Sequence, residues 1–323
     1  MTDPTHYTLS TRTLNLMASV YHRLGEVKAR HLLRPPHDLE KAYRISAVHA
    51  TLAIEGNLLA PLPMARLVDR RGTAGTSPEA LEVINTQRLY DLLPDLHPFI
   101  ANDLRHAHAE LMHGLSLDAG SYREGPMDVL YGDPRPLRTA PADNLAVQVE
   151  ELLHHLENDD APLLIGSCVL HFGLVHLRPF GSGNGRIARA WQRRMLMEHW
   201  PVFSFLPVEA FIHATMPAYH AALEYADRQG DCGAFITYML ERIDDALAEL
   251  LSQPDPALHA GDRMTIFLQQ APLRPFGRKD YLAFYPELST ASASRDLRDA
   301  VAMGKLTKQG HGRNTVYGAV REG

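Results

Sequence analysis

Residues 178–189 read RPFGSGNGRIAR, a run whose residue types and spacing suit the holding of an anion. Gly183, Asn184 and Gly185 can turn consecutive backbone N–H groups inward as a nest, because glycine takes positive φ at little steric cost. Arg186 and Arg189 stand three apart, so on a helix starting here they share a face, and the helix amino terminus adds its own positive field. A di- or triphosphate suits such a constellation. No side chain in the run is a base, which raises the question of whether the chain catalyses or only binds.

The elements that must position this loop are helices. Apolar residues recur at helical spacing over Leu14–Leu33, Leu39–Ile54, Pro78–Leu93, Pro98–Leu115, Leu145–Leu156, Pro162–Leu174, Ile187–Glu198 and Tyr219–Leu251. Strand-like alternation is scarce, so the fold class is mainly α. Met127–Pro141 holds three prolines and a glycine and reads as a β-hairpin flap. Ser252–Gly261, SQPDPALHAG, reads as an interdomain linker.

Length and composition agree with an ordinary globular protein of about two domains: 323 residues, 45% hydrophobic and 22% charged. Two cysteines make no disulfide framework and suit a reducing cytoplasm. The amino terminus lacks a signal-peptide pattern, and no apolar run is long enough to span a membrane. The histidine pairs 106/108, 154/155 and 171/176 miss the i, i+4 spacing of a helical metal site, so no metal is expected from them.

Charge is unevenly divided. From Gly261 onward ten Lys/Arg face six Asp/Glu, a net +4, while the whole chain carries −6. In this tail Arg263–Ala271, Arg278–Phe284 and a capped amphipathic run from Ser289 to Val301 read as short helices. Lys305–Val320 then alternates around Gly310-His311-Gly312 as a hairpin. Three short helices and a basic hairpin resemble the winged helix-turn-helix fold. That resemblance places Ser292, Ser294, Arg295 and Arg298 near DNA bases or phosphates and Lys308 and Arg313 on the wing. Paired half-sites would go with a homodimer. A small domain that binds protein or packs on the body is the alternative.

The region around the loop resembles the Fic family, whose motif runs His-Pro-Phe-x-Asp/Glu-Gly-Asn-Gly-Arg-x-x-Arg between two helices. Pro179, Phe180, Gly183, Asn184, Gly185, Arg186 and Arg189 match in register. Gly120-Ser121-Tyr122-Arg123 is similar to the segment before the family's flap, and Tyr219–Leu223 with Phe235–Met239 to its closing helices. Thr51-Leu52-Ala53-Ile54-Glu55-Gly56-Asn57 resembles its inhibitory motif. The resemblance implies a helical bundle with a hairpin flap, ATP or another nucleotide at the loop, transfer of AMP to a hydroxyl of a target protein, and a target strand added at the flap. It also implies that Glu55, with Thr51 and Gly56, blocks the γ-phosphate by pairing with Arg189. The expected division is 1–97 amino-terminal helices, 98–250 Fic-like core, 251–262 linker and 263–323 winged helix.

Two positions depart from the pattern. Arg178 stands where the family has its proton-accepting histidine, and a guanidinium stays protonated at neutral pH. Ser182 stands where the family has the carboxylate that holds magnesium, which puts magnesium in doubt. Two readings follow: a nucleotide-binding regulator of DNA deficient in transfer, or a transferase with an atypical base, for which His176 is the alternative to position 178.

Overall fold

In the computed structural model, the described residues are 4–30, 32, 37–57, 59–60, 64, 67, 77–132, 136–253, 260–270, 275–286, 288–310 and 315–320. The chain divides into two compact units, Met1–Asp255 and Pro256–Gly323.

The first unit is helical: α1 Thr11–Ala29, α2 His37–Ile54, α3 Pro78–Leu92, α4 Ala101–Leu111, α5 Leu145–Asn158, α6 Leu163–Leu177, α7 Asn184–Met197, α8 Val208–Ala214, α9 Met216–Gln229 and α10 Gly233–Ser252. Local chemistry sets several starts. Ser10 accepts from the Thr13 N–H while the Thr13 hydroxyl bonds back to the Ser10 N–H, closing a capping box on α1. Ser77 caps α3, whose first residue, Pro78, has no N–H to leave unpaired. The expected run Tyr219–Leu251 is two helices, because Gly230 at φ 64° ends α9 and α10 restarts after Cys232.

The centre is α6, buried at all but its first residue, which is why its sequence lacks a polar face. It packs along α7 and between α5 and α10, while α1 lies along α10 and α2 along α8. Pro179 disfavours α-helical backbone at the residue before it, so α6 stops at Leu177; Arg178, its C-cap, lies in the left-handed region at φ 47°. That reversal turns the chain into the glycine-rich loop. Strands β1 Met127–Val129 and β2 Arg138–Ala140 pair antiparallel, Met127 opposite Ala140 and Val129 opposite Arg138, forming the expected hairpin.

The second unit holds α11 Ala260–Gln270, α12 Arg278–Phe284, α13 Thr290–Ala302, and the antiparallel pair β3 Leu306–Gln309 and β4 Val316–Ala319. Phe276 bridges Tyr317, and Phe267, Tyr281, Leu297 and Leu306 make its core. Buried Asp296 accepts from Arg263 and from the Tyr281 hydroxyl, tying α13 to α11 and α12. Most of the expected linker, 254–259, and the hairpin turn with Arg313 lie outside the described residues.

Candidate functional site

The glycine-rich loop is held in shape by a local closure at Asn184 and by His108, Tyr122 and Arg123 from distant segments. The Asn184 amide closes on the loop itself, its Oδ1 accepting from the Phe180 N–H and its Nδ2 donating to the Phe180 carbonyl. Phe180 stacks flat on His108 of α4, ring centroids 3.7 Å apart and planes 7° from parallel. His108 accepts from the Gly120 N–H at Nδ1 and donates from Nε2 to the Ser182 carbonyl, a bond pattern that requires the neutral ring. Burial pushes its pKa down to about 4, against the Ser182 carbonyl and Asp118, which favour the charged form. Arg123 completes the frame by donating to the carbonyls of Arg178, Leu177 and Pro141, and Tyr122 bridges Phe180.

Beside the loop lies an open cleft of about 680 Å³, lined in part by Glu55, Leu130, Tyr131, Arg178, residues 181–185, Arg189, Tyr219 and His220. Gly183 enters α7 at φ 71° and has no side chain to cap the first helical turn, so the N–H groups there are free to meet an anion.

Arg189, on the next turn of α7, is buried. Its Nε donates to the Thr51 hydroxyl at 2.9 Å, and its Nη2 to the Thr51 carbonyl at 3.0 Å and to Glu55 Oε1 at 2.7 Å. Its Nη1 has no partner among the described residues. The Glu55 and Arg189 pair implied by the resemblance is a contact in the structure, Thr51 joins it, and Gly56 turns the chain just beyond α2 at φ 89°. Burial alone would raise the Glu55 carboxyl; Arg189 chiefly, with Arg186 and Arg178, pulls it below its ordinary value. Glu55 presses on the loop itself. A Cβ at Gly185 would come within 2.3 Å of Glu55 Oε1.

The other motif residues go different ways. Arg186 is buried and donates to Glu82 of α3 at 2.9 Å; Glu82 also accepts from Asn57, and Arg186 is not among the residues lining the cleft. Arg178 does line it, and its Nη2 donates to the Leu130 carbonyl at the end of β1, so the guanidinium reaches from loop to flap. Ser182 lines the cleft with a hydroxyl. Glu55 is the single carboxylate among the described cleft-lining residues, and it is tied to Arg189. No group of three or more His, Cys, Asp or Glu suited to a metal occurs among the described residues. These side chains do not fit a magnesium site.

His176 lies elsewhere. Its ring is buried with Nδ1 2.9 Å from Asp227 Oδ1, and it is not a cleft-lining residue. Asp227 of α9 also accepts from Arg138 and from the Tyr131 hydroxyl, so it clamps both sides of the flap. The imidazole that does line the cleft is His220, held below its ordinary pKa by burial, with Glu55 opposing and Arg189 reinforcing. Gly132, φ 80°, lets the flap approach that ring, since a Cβ there would meet His220 Nδ1 at 2.6 Å. Sequence reading gave Glu82, His108, Asp227 and His220 no role at this site. Isolated acids and histidines on helices carry no local signal, and only their long-range partners give them a role.

In the second unit Arg295 and Arg298 are exposed on α13 and Lys308 is exposed on β3. Ser292 shares the amino-terminal cap with Ser289, and Ser294 donates to the Thr290 carbonyl and accepts from Arg278. No helix among the described residues is long and apolar enough to cross a membrane.

Comparison with known proteins agrees with this geometry. The Fic/DOC family matches residues 96–196. A Fic family protein from Desulfovibrio desulfuricans G20 superposes with a TM-score of 0.73 and 27% identity over 98% of each chain. Two further structures share the fold at lower identity. A Fic domain containing signaling protein from Bacteroides thetaiotaomicron has TM-score 0.58 and 14% identity over 71% of this chain and 96% of that one. Fic-1 from C. elegans has TM-score 0.55 and 21% identity over 74% of each chain. The loop between α6 and α7, the hairpin that overhangs it and the helices that frame both are those of a Fic/DOC family domain, which this chain carries at residues 96–196.

Proposed function

We propose that this protein binds ATP or a related nucleotide in the cleft beside α7, is deficient in AMP transfer, and uses nucleotide occupancy to regulate DNA binding by its carboxy-terminal unit as a winged helix. The observation that carries the nucleotide reading is Arg189: a buried guanidinium on the anion loop, with Nη1 unpartnered among the described residues and Nη2 on Glu55. A buried unpaired donor is costly, so an anion that supplies its partner is favoured. Phosphate would take Arg189 from Glu55, with the 183–185 turn and the α7 amino terminus supplying N–H groups.

Deficiency follows from Arg178 and from where His176 lies. A protonated guanidinium at the base position cannot accept the hydroxyl proton, and the buried His176 ring does not line the cleft where that hydroxyl would sit. Loss of a positioned base costs about 10²- to 10⁴-fold in rate. The DNA reading rests on the exposed Arg295, Arg298 and Lys308 of a unit with net charge +4.

The decisive test measures DNA affinity of the full chain against salt, with and without ATP. Salt-dependent binding that ATP alters supports the reading; no binding, or binding blind to every nucleotide, refutes it.

One observation favours the transferase alternative: His220 offers a cleft-lining ring kept neutral by burial. In that reaction the target hydroxyl oxygen bonds to the α-phosphorus, the bond to pyrophosphate breaks, and the proton goes to His220. Label from α-phosphate-labelled ATP on protein with Glu55→Gly, lost on adding His220→Gln, would establish this alternative. Label appearing only after Arg178→His and Ser182→Asp are added would leave the binding reading standing.

A further inference from the structure

Building on the nucleotide-binding reading, we infer that the cleft takes its polyphosphate anion free of divalent metal, with Arg178 supplying the positive charge that a cation would bring.

The residues argue this from both sides. Among the described cleft-lining residues a magnesium ion finds no free carboxylate: Ser182 is neutral at the family's ligand position, and Glu55 is engaged by Arg189 until an anion takes its place. The other nearby carboxylate is Asp118, whose Oδ2 lies 2.5 Å from the place a Cβ would take at Gly181; it accepts from Ser116 and is not a cleft-lining residue. Cationic side chains, by contrast, are ready. Arg178 and Arg189 both line the cleft, and each keeps a buried nitrogen, Nε of Arg178 and Nη1 of Arg189, with no partner among the described residues.

Backbone geometry aims Arg178 at this task. Arg178 takes the left-handed region at the end of α6, and from there its Nη2 crosses to the Leu130 carbonyl of the flap. The guanidinium thus reaches across the cleft between the anion loop and the hairpin. Arginine recognises phosphate oxygens with paired N–H donors as well as charge. In Glu55→Gly protein, two guanidiniums and the loop N–H groups would face the phosphate with no carboxylate among the described cleft-lining residues. Metal-free polyphosphate carries more negative charge into that field than its magnesium complex does, so magnesium weakens binding rather than assisting it.

The test is calorimetric titration of full-length Glu55→Gly protein with ATP and with inorganic tripolyphosphate, each in EDTA and in excess magnesium. The expected result is binding in EDTA at least as tight as in magnesium. Similar affinity for both ligands would assign the phosphate chain as the recognised chemistry, and tighter ATP would add a nucleoside contact; either supports metal-free binding. Adding Arg178→Gln should weaken binding in EDTA by about tenfold, Arg178→Lys by less, with the apo melting temperature checking that each folds. Arg178→His with Ser182→Asp should reverse the preference toward magnesium. Binding that requires magnesium, or an Arg178→Gln affinity in EDTA equal to the parent's, overturns the inference, and loss of the magnesium requirement in Asp118→Asn would assign the metal to that carboxylate instead. Binding of neither ligand in either buffer overturns the nucleotide reading as well, so the two failures are distinguishable.

Discussion

Arg189 and Glu55 form a pair with unequal surroundings: the guanidinium is buried, while a third of the carboxylate side chain reaches the open cleft. Removing the partner of a buried charge costs about 3–5 kcal/mol in fully buried pairs, and the solvent at Glu55 reduces that to about 1–3 kcal/mol. Glu55→Gly should therefore melt earlier without ligand, yet bind ATP about tenfold tighter, read by thermal shift with and without nucleotide. The pH dependence has a definite sign. A carboxyl held below its ordinary pKa contributes stability that is present above the unfolded value, about 4.3, and is lost as pH falls through the depressed folded value. His108 and His171 act in a different window. Burial takes their pKa values to about 4 and about 3, so the unfolded chain binds more protons from about pH 6.5 downward. Urea stability should fall by about 1.4 kcal/mol per pH unit per histidine below pH 6.5, levelling only below the folded values. His108→Gln should give a shallower slope.

Between helix and hairpin the controlling contact is Asp227. This one buried carboxylate on α9 accepts from Arg138 and Tyr131 of the flap and contacts His176 of α6. Asp227→Asn keeps the shape and removes the charge, leaving Arg138 without its counter-ion. A loss of about 2–4 kcal/mol is expected, with amide exchange accelerating across Met127–Ala140 before the rest of the unit. Uniform acceleration across all helices would mean that Asp227 supports the core rather than the hairpin. The loop has its own anchor in the His108 and Phe180 stack, so His108→Gln should loosen residues 180–184 without releasing the flap.

For the whole molecule the testable link is the proposed one between nucleotide and DNA, and on that proposal the following outcomes are expected. Arg295→Glu with Arg298→Glu in the full chain should lower DNA affinity and flatten its salt dependence, about one unit of slope per lost phosphate contact. Nucleotide affinity in the same protein should stay as it was, because neither arginine lies near the cleft residues in sequence or belongs to their unit. A drop in nucleotide affinity would mean that the substitutions damaged the fold.

The helices, the hairpin and the glycine-rich turn were legible in the sequence because each depends on local rules: apolar spacing, prolines that exclude helix, glycines that permit positive φ. The short α8 fell outside every run read from the sequence, since seven residues are too few to show a period, and the break at Gly230 was missed inside the run Tyr219–Leu251. The family resemblance also implied the pairing of Glu55 with Arg189 across more than a hundred residues, while the Thr51 contact came only from the structure. Tertiary structure alone decided which polar groups face the cleft. Arg186 and Arg189 share a helix face in the sequence, yet one meets Glu82 and the other Glu55; His176 sits near the loop in sequence but turns to Asp227, while His220 from a later helix lines the cleft. Such outcomes are set by partners brought from distant segments, because a buried charge goes to its counter-charge and no local period records where that counter-charge is.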